Sequence, residues 1–331
     1  MLCILYVNAV AALLGAVGTL VERILPANAS RRWVWCVAIA LSVAIPPIYQ
    51  ANHTSTVTQV ASESVHGKLG HTLMMTSLSV INAGWWGNST SLDKPIEVVW
   101  MVGSALVLLL GLANALRVWY ALSISRKSRG PTTVDGVPVV VTDSIGPATV
   151  GVFRSRVLVP RWVLALPGVQ RRYVLRHEDE HRRSHDALLL FVASLPLVLT
   201  PWNIALWWQL RRMSLAVEMD CDKRVVSALG DPNAYGELLF KVAQAANRGL
   251  RLQPAFLGRG MLERRLTSLL APEPLRNIQR FLLPVVASVL LYIVFSMPHP
   301  VPDATLQPRA VAAPSNAVTG SPASHSHLAP E

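Results

Sequence analysis

The sequence predicts a mainly α-helical, polytopic membrane protein that carries one small antiparallel β-sheet. Three observations lead there. Apolar residues make up 52% of the 331-residue chain and charged residues only 15%, against about 25% charged in a soluble domain. Apolar runs close to or above the length of a membrane span recur at 2–20, 33–49, 98–122, 187–208 and 281–297. Between the third and fourth runs, residues 130–160 turn to short β-branched stretches bracketed by turn residues.

In chain order, residues 2–20 form the first span. Ala27-Asn28-Ala29 resembles a signal-cleavage site, but no Lys or Arg precedes the run, so a retained helix is expected. Arg32 opens the second run, and Pro46-Pro47 mark a stop or kink near its end. Residues 51–97 are polar and read as a loop on the translocated side. Ser91-Leu92-Asp93-Lys94 matches the S-x-x-K of penicillin-binding enzymes, yet the loop is too short for that fold and no K-T-G follows. Asn52-His53-Thr54 and Asn88-Ser89-Thr90 are sequons, meaningful only in a eukaryotic secretory setting.

Residues 98–122 are the third span, followed by Arg126, Lys127 and Arg129; Arg23, Arg31 and Arg32 lie between the first two. Counting Lys and Arg places both basic loops in the cytoplasm and 51–97 outside. The N-terminus is then expected outside a cell (inner) membrane. The formal charge of +11 fits such loops better than nucleic acid, because no aromatic-interleaved basic stripe or nucleic-acid motif is present. Cys3, Cys36 and Cys221 are too few and too far apart for a disulfide framework or a CxxC knuckle.

Residues 137–141 and 156–160 flank a turn and middle strand at 146–153, which together predict a three-stranded antiparallel sheet. Its edge either holds an extended substrate by strand addition or merely caps the helices. The run 187–208 is broken by Pro196 and Pro201. A single crossing there would export Arg211, Arg212, Lys223 and Arg224, against the basic-inside bias. A kinked hairpin, or two helices buried in the following domain, removes the conflict. The last run, 281–297, is near the short limit for a span. The tail 298–331 is rich in Pro, Ala, Ser and His, is expected to be disordered and exported, and holds His299, His325 and His327.

The chemistry centres on Arg176-His177-Glu178-Asp179-Glu180-His181-Arg182, expected on a helix over 168–186. Residues at i and i+4 share a helix face, so His177 and His181 can chelate one zinc ion. Zinc lowers the pKa of water it binds, and Glu178 is placed to take the proton. The rival reading is a charged helix face in which Arg171, Arg172, Arg176, Arg182 and Arg183 pair with the three acids. Downstream, Glu218-Met219-Asp220-Cys221-Asp222 puts two carboxylates at i,i+4. With Glu218 as third ligand, Asp222 can accept an N–H from a ligating His. An acidic helix face beside Lys223 and Arg224 is the alternative.

Gly146-Pro147, Val152-Phe153-Arg154, Val157-Leu158-Val159-Pro160, the H-E-x-x-H segment with Asp186, Trp207-Trp208, Glu218 to Asp222 and Leu262-Glu263-Arg264-Arg265-Leu266 follow one another in an order that resembles the M56 peptidase family. That family includes membrane-bound, antibiotic-sensing proteases that regulate β-lactamase and methicillin-resistance genes. The resemblance covers roughly residues 98–275. It implies a helical gluzincin-like core, one catalytic zinc on His177, His181 and Glu218, Glu178 as general base, and Asp222 and Asp186 behind the ligands. Together with the apolar runs it gives a three-span transmembrane region at 1–122, a cytoplasmic-facing peptidase domain at 123–280 containing the hairpin 187–208, and a last span at 281–297. The substrate would be a protein or peptide, such as a transcriptional repressor or the chain itself, cleaved on the cytoplasmic face.

Two features depart from the family. Asp179 and Glu180 make the motif interior acidic, which leaves an inactive signalling or scaffold protein as the alternative. Only about 34 residues follow the last run, far below domain size, so a penicillin-binding sensor is not expected. Candidates for stabilising an oxyanion are His185, Arg154 and Tyr235. A transporter is disfavoured, since intact spans lack the ionisable residues of an ion path. Oligomeric state has no sequence signal.

Overall fold

The computed structural model describes residues 2–26, 29–63, 93–128, 132–142, 146–246, 260–270 and 277–297. Ser91, Leu92, the Asn88 sequon and the tail 298–331 lie outside them. The described residues form eleven helices and four strands. These are α1 Leu2–Ile24, α2 Arg32–Glu63, α3 Asp93–Ser128, strands β1 Thr132–Val134, β2 Val137–Thr142, β3 Ala148–Val150 and β4 Arg156–Pro160, α4 Arg161–Leu164, α5 Gly168–Arg183, α6 Asp186–Ser194, α7 Pro196–Leu199, α8 Ile204–Leu229, α9 Pro232–Ala246, α10 Met261–Leu270 and α11 Asn277–Ser296. The fold is mainly helical with a small sheet, as expected.

Two helical stretches are long and apolar enough to cross a membrane, Ile4–Ile24 and Lys94–Arg117. The stretches Arg32–Ile48, Asp186–Leu199 and Phe281–Ser296 are apolar but shorter. Apolar runs did not mark the helix ends. α2 continues through Pro46 and Pro47 to Glu63, and α3 starts at Asp93, so the polar segment 51–97 is helical at both ends rather than a loop. Hydropathy reports what a side chain sits in; the backbone ladder can continue past it. The proline pair leaves two i−4 carbonyls without N–H donors. The first half of α2, packed against α1 and α8, holds its course regardless, since packing overrides local preference.

The sheet corrects the expected antiparallel one: it is mixed, in the order β1-β2-β4-β3. β2 and β4 pair in parallel, while β1 and β3 are antiparallel edges. The sequence-middle strand is thus an edge strand in space. A fourth strand arises because Asp135 (φ 48°) and Gly136 (φ 81°) make a two-residue hairpin turn, Val134 facing Val137. Asp-Gly is the preferred dipeptide there because both central residues need φ > 0.

Three clusters make the core. Val139, Val157 and Val159 of the sheet pack with Leu175 of α5, Cys221 and Val225 of α8, and Tyr235 and Leu238 of α9. Trp35 of α2, Leu206 and Met213 of α8, and Leu197 form the second. Tyr6, Val10 and Leu14 of α1, with Val294 of α11, form the third. α8 belongs to the first two. It carries the second arm of the apolar hairpin and the Glu218–Asp222 segment on one rod about 39 Å long, at 1.5 Å per residue. Asn203 caps it by accepting from the Leu206 N–H at 3.0 Å.

Candidate metal centre

α5 presents His177 and His181 one turn apart, and they approach with Nε2 atoms 3.2 Å apart. α8 packs across α5 and brings Glu218 between them. Its Oε2 lies 3.6 Å from His177 Nε2 and its Oε1 3.7 Å from His181 Nε2. Zinc–ligand bonds are about 2.0–2.2 Å long, so separations of 3.2–3.7 Å between the nitrogens and the two carboxylate oxygens leave room for one cation among the three groups. Cys221 Sγ joins the two imidazoles in a second possible ligand group, with all donor atoms within 4.8 Å of one another. The sulfur lies 3.4 Å from His177 Nδ1 and 3.4 Å from the His177 carbonyl, and it also interacts with His181. Glu218 instead faces the pair of nitrogens that face each other, and it keeps some exposure to solvent.

Each ring has a fixed partner behind it. The helix ends at Arg183, short of the expected 186, because His185 adopts a left-handed conformation (φ 53°). That turn swings Asp186 back beneath His181, and its Oδ2 lies 2.8 Å from His181 Nδ1. The Arg32 guanidinium donates to the other Asp186 oxygen at 2.7 Å. Behind His177 stands Tyr235, whose hydroxyl donates to Asp222 Oδ1 at 2.7 Å and lies 2.9 Å from His177 Nδ1. The tyrosine proton is committed to Asp222, so Oη accepts from Nδ1–H. Both networks therefore assign the neutral tautomer that leaves Nε2 free for a metal. Asp222 itself is 3.4 Å from His177 Nδ1 and acts through the tyrosine.

Arg265 completes the arrangement. Its Nε and Nη2 each donate to Asp222 at 2.7 Å, and its Nη1 meets Glu218 Oε2 at 2.9 Å. One guanidinium thus orients both Glu218 and the carboxylate behind His177. Burial would raise the pKa of Glu218, but Arg265 and the two imidazoles hold it well below the usual carboxylate range. Burial opposes a charge on His177, yet Cys221 and Glu218 outweigh it and lift its pKa to about 10. His181 is raised too, by Glu218, Cys221 and Asp186 acting against burial. Both shifts favour protonated rings, so a cation bound there would displace protons.

Glu178 is buried beside β3: the Thr149 hydroxyl lies 2.6 Å from its carbonyl and 3.1 Å from its Oε2. The acids inside the motif have separate partners. Asp179 accepts from Arg182 and Arg183 at 2.6 Å, and Glu180 pairs with Arg176 at 2.6 Å and Arg224 at 3.0 Å. The ion-pair reading thus holds for Asp179 and Glu180, on a helix side other than the histidines', while Arg171 pairs with Asp135. Of the oxyanion candidates, Tyr235 is engaged with His177, and His185 and Arg154 are exposed. Asp220, between Glu218 and Asp222, caps α2 from a distance by accepting from Ser30 Oγ and the Arg31 and Arg32 N–H groups at 2.7–3.1 Å.

Sequence reasoning had no role for Arg265, Cys221 or Thr149. Arg265 had a signal: it sits on the apolar side of α10 with Leu262, Leu266 and Leu269, which pack on the core, and a charge on such a face is rarely buried without a partner.

A family model described as BlaR1 peptidase M56 matches residues 2–269. No curated protein matches the chain.

Proposed function

The chain belongs to the M56 peptidase family, matched over residues 2–269, and from that premise we propose that it is a multi-pass membrane zinc endopeptidase acting in regulatory signalling. His177, His181 and Glu218 hold the metal, and the substrate is a cytoplasmic or membrane protein, a repressor or the chain itself. The observation that carries the reading is the meeting of two Nε2 atoms and the Glu218 carboxylate within 3.2–3.7 Å.

Zinc bound there supplies a Lewis acid that polarises the scissile carbonyl. The protein's own groups do the rest. Asp186 and Tyr235 keep both rings in the ligating tautomer. Glu178, with Thr149 against its carboxylate, takes a proton from the attacking water and later gives one to the leaving amine. β3 has one free edge among the described residues and holds Thr149, so an extended peptide pairing along it would pass Glu178. The acidic motif interior, which favoured an inactive scaffold, has a structural use in the ion pairs of Asp179 and Glu180.

Orientation is part of the proposal. α1 and α8 run side by side, with Gln209 donating to the Ala11 carbonyl and Arg212 meeting Glu22. The centre at 218–222 lies further along α8, past the charged end of α1. With the Lys and Arg of the adjoining loops inside, that end is cytoplasmic, and the N-terminus and tail are exported.

Glu178→Gln is the test. The purified variant should bind zinc in the wild-type ratio by elemental analysis while cleavage of itself and of a quenched-fluorescent peptide mixture disappears. Undiminished cleavage by the metal-loaded variant would remove Glu178 from the role.

A further inference from the structure

Trp208 stands between two openings on one face of α8. A groove of about 470 Å³ lies between α8 and α1, lined by Asn8, Ala12, Ile204 and Ala205. A pocket of about 280 Å³ lies between α8 and α10, lined by Arg211, Arg212, Leu215, Met261 and Arg264. Ile204, Trp208, Arg211 and Leu215 follow at helical spacing, so both openings lie on a single stripe, about 16 Å long at 1.5 Å per residue. The stripe is apolar at its start and basic at its end.

α1 fixes where that change falls. Gly15 lies against the Trp208 ring with no room for a side chain, and Arg212 Nη2 reaches Glu22 at 2.6 Å, in the last turn of α1. The arginines therefore stand level with the end of the apolar stretch Ile4–Ile24. No acidic residue lines the basic pocket among the described residues, and Glu22 meets Arg212 from the α1 side.

We propose that this stripe binds one anionic phospholipid, an acyl chain along Ile204–Trp208 and the phosphate on Arg212 and Arg264. Apolar tail and anionic head match its two halves in order, with the indole against Gly15, midway along Ile4–Ile24, on the apolar side. The inference rests on α1 spanning a membrane, part of the reading above, and not on the metal. Its consequence reaches the centre. Arg264 precedes Arg265, the residue that orients Glu218, so a phosphate drawing Arg264 towards α8 also seats α10.

The experiment uses the full chain in nanodiscs of phosphatidylcholine with or without phosphatidylglycerol, and counts lipid retained after transfer to detergent by native mass spectrometry. Wild type should keep one phosphatidylglycerol. Arg264→Gln should weaken retention about fivefold, the factor equivalent to ~1 kcal/mol per basic residue near a membrane surface. Ala12→Trp, which fills the groove, should weaken it independently. Equal retention by all three proteins overturns the proposal. Competition by inorganic phosphate with Ala12→Trp unaffected would make it a free-phosphate site and overturn the lipid. A changed KM for an acidic peptide in Arg264→Gln, without lipid dependence, would make it a substrate subsite and also overturn it. Lipid count needs neither zinc nor cleavage, so its failure is distinct from failure of the peptidase reading.

Discussion

The two imidazoles of the centre are held by different parts of the chain. His177 is backed by Tyr235, Asp222 and Arg265, from α9, α8 and α10, within the core that contains the sheet. His181 is backed by Asp186 and, behind it, Arg32 at the first turn of α2, in the apolar bundle. The first tether is closed off and fully paired. The second is a short relay that runs to the start of α2, with Arg224 of α8 also 3.7 Å from Asp186. The candidate site thus has a rigid half and a half exposed to whatever moves the bundle.

The largest expected effect breaks the rigid half. Arg265→Met leaves Asp222, with no side-chain exposure, as a buried charge without its cation. Removing one partner of such a pair costs about 3–5 kcal/mol. The variant should melt well below wild type by circular dichroism and lose zinc, whereas an unchanged melting temperature would show that the tether is not structural. Asp186→Asn tests the other half. It should keep the fold and lower zinc affinity about 10–100-fold, the usual cost of losing a carboxylate behind a ligating His, as read by competition with a chromophoric chelator. Unfolding of this variant comparable to Arg265→Met would erase the distinction.

Acidity sharpens the comparison from another side. The pKa of His177 rises from 6.5 to about 10 in the metal-free fold. A group whose pKa is raised by folding stabilises the fold below its unfolded value and loses that contribution as pH climbs to the folded one. Metal-free protein should therefore lose stability between about pH 6.5 and 10. Zinc affinity should rise over the same interval, because binding releases those protons. Calorimetric titration in buffers of different ionisation enthalpy measures the release, and a pH-independent affinity would contradict it. The smallest effect is expected for Arg32→Gln, which leaves Asp186 on His181 at 2.8 Å and Arg224 3.7 Å from the same carboxylate, and should change zinc affinity only a few-fold by the same chelator competition.

Neither half was fully legible in the sequence. Helical spacing and the family resemblance both point to His177, His181, Glu218 and Asp222, and the resemblance alone to Asp186. Arg265 could not be placed, because its partners lie 43 residues or more upstream and only packing brings α10 onto α8. The link from Arg32 to Asp186 spans 154 positions and has no local signature at all. The sheet was misread for a related reason. Strand content follows from β-branched residues, but the parallel pairing of β2 with β4 depends on where the intervening β3 lands, and no spacing encodes that.

Asp220 and Glu218 sit two positions apart on α8, which has neither proline nor glycine from Ile204 to Leu229. Asp220 grips the start of α2 while Glu218 faces the histidines on another flank. Such a shaft has no joint at which torque could be absorbed. A few degrees of roll applied at its apolar end arrives undiminished at both carboxylates, so drawing Glu218 off the imidazoles also loosens the grip on the α1–α2 turn.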